Sequence, residues 1–62
     1  SIGRAAVVTE SIDNLAATGA VKLDGVVWTA RSTDDAVAIE TGERVTVRAI
    51  EGVKLIVERT VR

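Results

Sequence analysis

Short segments in which apolar and polar residues alternate dominate this chain. Alternation with a period of two residues is typical of a β-strand that has one buried and one exposed face. The sequence predicts five such strands. They cover Arg4 to Thr9, Ala20 to Leu23, Val26 to Arg31, Arg44 to Ile50 and Val53 to Val61. The residues predicted to share a face in the last two strands are Val45, Val47 and Ala49, and then Val53, Leu55 and Val57.

Glycine-containing turns separate the predicted strands. Asp24-Gly25 indicates a two-residue hairpin, because a type I′ turn needs positive φ at both central residues. Glu51-Gly52 predicts a second turn, and Ile50 interrupts the alternation just before it, which indicates a bulge there. Gly42 predicts a turn before the fourth strand.

Two connections lack a strand pattern. In Glu10 to Thr18, Ser11 could cap a single helical turn, but we favour a loop that tucks Ile12 and Leu15 under the rest of the fold. In Ser32 to Thr41 we expect Ile39 to enter the core from the connection.

The predicted fold class is all-β, with residues 1–62 forming a single domain. Five short strands cannot form two thick packed sheets, and an open sheet would leave exposed edges. Closure into a small five-stranded barrel, OB-like or SH3-like, removes those edges. The chain begins at Ser1 without Met, and its apolar pattern runs nearly to both ends, so we expect a segment of a longer protein.

Composition narrows the possible chemistry. Eight Lys or Arg residues and nine Asp or Glu residues give a net charge of −1, so no basic footprint for nucleic acid is present. The absence of Cys excludes disulfides and thiolate chemistry, and the absence of His removes the commonest metal ligand and general base.

Candidate catalytic and metal-binding groups are weak. Asp34 and Asp35 could bind a cation together with Glu40, but EF-hand spacing is missing, and a solvated acidic loop is the better interpretation. Ser32 could pair with a lysine, Lys22 or Lys54, but no hydrolase motif surrounds it. We therefore expect no enzyme activity, catalytic residue, metal or cofactor.

Trp28 is the one aromatic residue. It could stack on a single-stranded base, as aromatic residues of many OB-folds do, but such platforms combine several aromatics with positive charge. It could instead close one end of the barrel, with its indole N–H bonded to a carbonyl. Tryptophan is also enriched at protein-binding hot spots, so a partner contact remains a third possibility.

Two surface features are candidates for a partner site. Outward-facing basic residues could form a stripe for an acidic surface or lipid headgroups, or an ordinary solvated face; they are Lys22, Arg31, Arg44 and Arg48. Val27 and Ile56 also face outward and, with Val37, could form an exposed apolar patch or lie covered by the Glu10 to Thr18 connection. The residues selected as partner-binding candidates are Trp28, Arg31, Arg44, Arg48 and Ile56.

The order and spacing of several short motifs resemble the C-terminal domain of the NfeD family. They are the Gly19-initiated strand, Asp24-Gly25, Trp28-Thr29-Ala30, Ile39 before Thr41-Gly42, Val45-Thr46-Val47, and Gly52-Val53-Lys54-Leu55-Ile56-Val57. The resemblance covers nearly the whole chain. It departs at Ala16 and Ala17, near which many family members have a proline.

This resemblance implies an OB-fold barrel that belongs to a membrane protein with transmembrane helices before the barrel. It implies a stomatin-, prohibitin- or flotillin-like membrane partner, and some long members carry a ClpP-like protease domain upstream. We expect a non-enzymatic protein-binding module that could modulate membrane protease activity, on the cytoplasmic face of the cell membrane. The alternatives are an OB-fold that binds single-stranded nucleic acid and a structural module that forms homo-oligomers.

Overall fold

The strands close on one another in the computed structural model, which describes residues 2–60. The elements are β1 (Ala5–Asp13), β2 (Thr18–Leu23), β3 (Val26–Ser32), β4 (Arg44–Glu51) and β5 (Lys54–Arg59). Around the barrel they follow the order β1-β2-β3-β5-β4, and β4 pairs with β1 to close it. The β3–β5 pair is parallel and the other pairs are antiparallel. The predicted all-β, five-stranded OB-like barrel is confirmed; Val61, the predicted end of the last strand, lies outside the described residues.

A core of aliphatic side chains fills the barrel. The branched residues Ile, Val and Leu supply it together with two alanines, and no aromatic ring is fully buried in residues 2–60. Small branched side chains suit the narrow interior of a five-stranded barrel. The core residues are Ala6, Val8, Ile12, Val21, Leu23, Ala30, Ile39, Val45, Val47, Leu55 and Val57.

Strand β1 is longer than its sequence pattern indicates. It continues through the predicted loop to Asp13, with register irregularities between Val8 and Glu10 and between Glu10 and Asp13. These irregularities interrupt the period of two, which is why the alternation is hidden in the sequence. Ile12 enters the core as predicted, but as a strand residue, whereas the prediction for Leu15 is wrong because its side chain is 84% exposed.

A bulge in β4 changes which residues face inward. The register shifts between Val47 and Ala49, so the bulge lies before the position expected from Ile50. Past the bulge, Ala49 pairs with the outward-facing Ile56, and Ile50 takes the inward position that was predicted for Ala49. The turn also shifts by one residue: Glu51 pairs with Lys54, leaving Gly52 and Val53 as the turn. Val53 is therefore 77% exposed and does not share the face of Leu55.

The two ends of the barrel are built differently. The end we call the open end carries the start of β1 and two short turns, Asp24-Gly25 and Gly52-Val53. The opposite end, which we call the covered end, carries the β1–β2 turn and the long connection between β3 and β4. From that connection Ile39 reaches the core, as predicted, and forms a bridge with Ile12.

Candidate functional site

The open end presents inward-facing side chains that are incompletely covered. Val26 is 55% exposed, Ile50 is 46% exposed and Trp28 is half-buried. Their positions are inward because each pairs directly with a buried residue: Val26 with Leu23, Trp28 with Val21 and Ile50 with Leu55. We call these three residues, together with Val53 in the adjacent turn, the apolar mouth.

Connection length explains why the apolar mouth is uncovered. A two-residue turn reverses the chain directly, so it contributes no further side chains that could cover the end of the barrel. At the covered end the β3–β4 connection is long enough to lay Ile39 across the opening, where its side chain is 1% exposed. Exposed apolar patches on small soluble domains are typical of interaction sites.

Trp28 packs its ring against the core at the mouth. It lies at one end of the barrel, as the structural interpretation of this residue requires, but it leaves that end partly exposed. The predicted bond from its indole N–H to a carbonyl is absent among residues 2–60. Tryptophan combines a large apolar area with one polar donor, a combination common at the centres of protein interfaces.

The charged residues around the mouth balance in sign. The guanidinium Nη2 of Arg4 donates to Asp24 Oδ1 over 2.6 Å, next to the β2–β3 turn. Glu51 lies directly opposite Lys54 at the base of the β4–β5 turn. These four residues carry two positive and two negative charges, so the apolar surface between them is not dominated by either sign of charge.

The other predicted site residues lie on the outer wall. Arg31 and Ile56 are direct neighbours across the β3–β5 pair, so the structure brings these two together. Arg48 occupies the β4 bulge, and its Nη1 lies 3.6 Å from Glu58 Oε2. Arg44 pairs with Val7 of β1 at a separate position. Trp28 faces the mouth rather than this wall, so the tryptophan and the wall cations do not share a surface.

Arg31 makes structural hydrogen bonds with its guanidinium. Nη2 donates to the Ala17 carbonyl at 2.9 Å, and Nη1 donates to the Ala30 carbonyl at 2.7 Å and more weakly to that of Gly19 at 3.5 Å. These bonds support the β1–β2 turn, in which Ala17 has a positive φ of 60°. A partner-binding role for Arg31 stays a prediction, and a partner would have to share these donors.

Of the two alternatives for Val27, Ile56 and Val37, a single exposed apolar patch does not form. Val27 is 60% exposed near the open end, so no connection covers it. Val37 packs against the core from the β3–β4 connection at the covered end. Val26, Ile50 and Val53 lie exposed at the same end of the barrel as Trp28, and the sequence pattern did not select them as site residues. The signal that could have found them is the brevity of the two turns at that end.

An ion pair fastens the covered end. Arg59 Nε donates to Glu43 Oε1 at 2.6 Å, and Arg59 Nη2 donates to Glu43 Oε2 at 3.2 Å and to the Ala38 carbonyl at 3.0 Å. The hydrogen bond from Arg59, helped by one from the Glu40 amide, lowers the pKa of Glu43 from 4.5 to about 2. The same hydrogen bond from Glu43 raises the pKa of Arg59. The pair ties the end of β5 to the residue before β4.

The acidic residues of the β3–β4 connection serve its local structure. Asp34 Oδ1 accepts a hydrogen bond from the Ala36 amide, and Asp35 Oδ1 accepts one from Asn14 Nδ2. In the part of the chain that the structure describes, no three carboxylates gather to hold a metal ion. A cavity of about 280 Å³ lies beside them, lined by Ser32, Thr33, Asp34, Val37, Ile39, Glu58 and Arg59.

Across residues 2–60, no helix combines the length and apolar character required to span a membrane.

Comparison with known proteins gives a consistent result. The family described as "NfeD-like C-terminal, partner-binding domain" matches residues 1–59. A crystal structure from Corynebacterium glutamicum is similar: the soluble domain of a membrane protein implicated in regulation of membrane protease activity. Its TM-score is 0.88 at 38% identity, over 97% of this chain and 92% of that one. The C-terminal domain of a stomatin operon partner protein from Pyrococcus horikoshii is similar with a TM-score of 0.81 and 37% identity, over 98% of this chain and 89% of that one. No curated protein matches the chain.

Proposed function

Because this chain belongs to the NfeD-like C-terminal, partner-binding domain family, we propose that it binds a stomatin-, prohibitin- or flotillin-like membrane protein through its apolar mouth. It is a non-enzymatic recognition module. The domain's similarity to a stomatin operon partner protein supports the choice of partner. The observation that carries the choice of site is the incomplete burial of Val26, Trp28 and Ile50 at an end with no covering connection.

Barrel closure limits how a partner can be recognised. In a closed barrel every strand has a neighbour on both sides, so a partner cannot add a full strand to a free edge. Recognition then depends on side chains placed against the surface. Trp28 is half-buried and held by the core, so it loses little rotational freedom when a partner covers it.

The balanced charges around the mouth indicate that binding there depends on apolar contacts more than on charge. Arg4 and Asp24 already neutralise each other, and Glu51 faces Lys54. The charges of these four residues therefore sum to zero. We expect apolar association whose affinity depends weakly on salt, since screening acts on net charges rather than on apolar burial.

The similarity to a soluble domain of a membrane protein implicated in regulating membrane protease activity supports a membrane-anchored parent. We place the barrel on the cytoplasmic face of the cell membrane, where its partner would present a soluble segment. Partner binding would modulate membrane protease activity by holding two membrane proteins together.

Capture from membranes tests this function. The full-length parent and a form lacking this barrel are expressed with the same affinity tag, and stomatin-, prohibitin- and flotillin-like proteins are quantified in the captured material. We expect capture of one such protein only when the barrel is present. Equal capture without the barrel would contradict the proposal and assign binding to the rest of the parent.

A further inference from the structure

A row of exposed side chains crosses the outer surface of four strands. Strand pairing aligns Val27 of β3 with Lys22 of β2, Lys22 with Val7 of β1, and Val7 with Arg44 of β4. Val27 is 60% exposed, Val7 is 42% exposed, and both cationic residues are exposed. We call this set the valine–cation row. It shares no residue with the apolar mouth.

The cations of the row have no ion-pair partner within residues 2–60. The ion pairs in that range involve Arg4, Arg48 and Arg59, and neither Lys22 nor Arg44 takes part in one.

Three carboxylates on the outer surface near the row form no ion pair with its cations. Glu58, opposite Thr46 on the strand beside β4, is held by Arg48. Asp24 is held by Arg4 at 2.6 Å, and Glu10 lies opposite Ala20 without forming an ion pair. The row therefore combines two exposed valines with two cations that have no ion-pair partner in the described residues. This combination is complementary to an acidic surface that also carries aliphatic groups.

Strand spacing sets the geometry that such a partner must match. Neighbouring strands lie about 4.8 Å apart, so Lys22 and Arg44, two strands apart, are separated by about 10 Å at the backbone. Residues seven apart on an α-helix lie on the same face and about 10.5 Å apart along its axis. Residues three or four positions along that helix fall midway, where Val7 lies.

We propose that the valine–cation row binds an acidic amphipathic helix of a protein partner, lying across β2, β1 and β4. Two carboxylates spaced seven residues apart pair with Lys22 and Arg44, and aliphatic residues between them pack on Val7. Val27 extends the apolar contact at one end. This site is separate from the apolar mouth of the proposed function. The helix that it binds can belong to the partner that contacts the mouth or to a different protein.

A designed peptide tests the proposal directly. The probe is a lactam-bridged helical peptide with glutamates seven residues apart and leucines three and four residues after the first glutamate. Binding is followed by backbone amide shifts of the ¹⁵N-labelled domain. We expect shifts centred on Val7, Lys22 and Arg44, and we expect Lys22→Glu combined with Arg44→Glu to weaken binding about tenfold or more.

Matched charge changes separate this site from general electrostatics. Arg48→Glu combined with Lys54→Glu alters the net charge equally but lies outside the row, so it should reduce affinity much less. A peptide with lysines in place of the glutamates should bind the Lys22→Glu, Arg44→Glu protein better than the original protein. If the double variant does not give a folded spectrum, Lys22→Gln and Arg44→Gln are measured singly, and each should weaken peptide binding.

Three results would overturn the proposal. One is the absence of shifts at the row. Another is an equal loss of affinity in the Arg48→Glu, Lys54→Glu control or no rescue by the lysine peptide. The last is binding to phosphatidylserine vesicles that requires Lys22 and Arg44 while the peptide does not bind, which would assign the row to a lipid surface. A capture experiment in which the barrel makes no difference would contradict the proposed function but leave these outcomes unaffected, since the peptide is titrated directly onto the domain.

Discussion

Gly19 and Ala30 approach so closely that a methyl group on Gly19 would lie 2.6 Å from the Ala30 carbonyl oxygen. The same methyl group would lie 2.9 Å from a side-chain carbon of the buried Ile12. Gly19 also has a φ of 140°, which side chains rarely allow. We predict that Gly19→Ala lowers the free energy of unfolding by about 3 kcal/mol, from overpacking together with backbone strain. Urea denaturation would measure this.

Gly52→Ala is the matched control for Gly19→Ala. Gly52 also has a positive φ, 62°, but an added methyl group there meets no atom within 4 Å. Only backbone strain of about 1–2 kcal/mol is therefore expected. Equal destabilisation by the two substitutions would show that the close contact with Ala30 is unimportant.

The Glu43–Arg59 pair makes stability depend on pH. The folded-state pKa of Glu43 is lowered from 4.5 to about 2, so the ionised form favours the folded state. Its stabilising effect is fully present above about pH 4.5 and is lost as the pH falls toward about 2. We predict that Glu43→Gln lowers Tm at pH 7 and that the difference from the original protein shrinks over this range. Thermal unfolding followed by circular dichroism at each pH would measure it.

A double-mutant cycle identifies the partner of Glu43. Arg59→Gln should lower Tm with the same pH dependence, since it removes the group that holds the carboxylate ionised. The combined variant should be less destabilised than the sum of the single variants. A Tm difference that is constant from pH 7 to about pH 2 would contradict the assigned role.

Arg31 has a structural role that can be measured without a partner. Lysine cannot reproduce the fork that donates to the Ala17, Gly19 and Ala30 carbonyls. We predict that Arg31→Lys lowers the free energy of unfolding by about 1–2 kcal/mol and speeds amide hydrogen exchange in the β1–β2 turn. Unchanged stability and exchange would mean that these bonds contribute nothing, leaving Arg31 fully available to a partner.

Asn14 links the β1–β2 turn to the end of β3. Its Oδ1 accepts from the Ser32 amide at 2.8 Å, and its Nδ2 donates to the Ser32 carbonyl at 2.8 Å and to Asp35 Oδ1 at 2.7 Å. We predict that Asn14→Asp costs about 1–3 kcal/mol, because the donor is lost and a carboxylate faces Asp35. The loss should shrink near about pH 3, where the introduced carboxyl is protonated. A loss that is independent of pH would contradict the charge repulsion.

Local patterning predicted most of the barrel. The predicted bounds of β2, β3 and β4 lie within two residues of the observed bounds. The alternation is clear in these strands because one face of each is buried and the other is exposed to solvent. Ile39 enters the core from the β3–β4 connection, as the sequence analysis predicts. The Asp24-Gly25 hairpin followed from turn chemistry, and Asp24 has the positive φ, 52°, that this turn needs.

Irregularities in strand pairing limited the prediction elsewhere. The bulge at Arg48 exchanges the faces of Ala49 and Ile50. The break in alternation at Ile50 signals a bulge but does not give its position. The irregular register of β1 similarly hid the strand that carries Ile12. The prediction that Leu15 tucks under the fold with Ile12 is wrong because Leu15 lies in the β1–β2 turn, where its side chain is exposed.

The candidate site depended on long-range geometry. The sequence selects Trp28 because it is the one aromatic residue, and the structure puts it at the same end of the barrel as the exposed Val26 and Ile50. This grouping requires knowing which turns share an end of the barrel. Arg31 was selected as an outward cation, but its bonds to the β1–β2 turn depend on the fold and cannot be seen in the alternation pattern.

One pair of variants tests most directly whether the apolar mouth binds the partner. Ile50→Glu places a charge in the mouth, while Leu15→Glu places the same charge on an exposed leucine at the opposite end. The affinity of each folded variant for the purified partner identified by membrane capture would be measured by isothermal titration calorimetry. We predict that Ile50→Glu weakens binding about tenfold or more, since a buried unpaired charge is costly. Leu15→Glu should bind like the original protein. Unchanged binding by Ile50→Glu, or an equal loss in Leu15→Glu, would contradict the assignment of the mouth as the binding site.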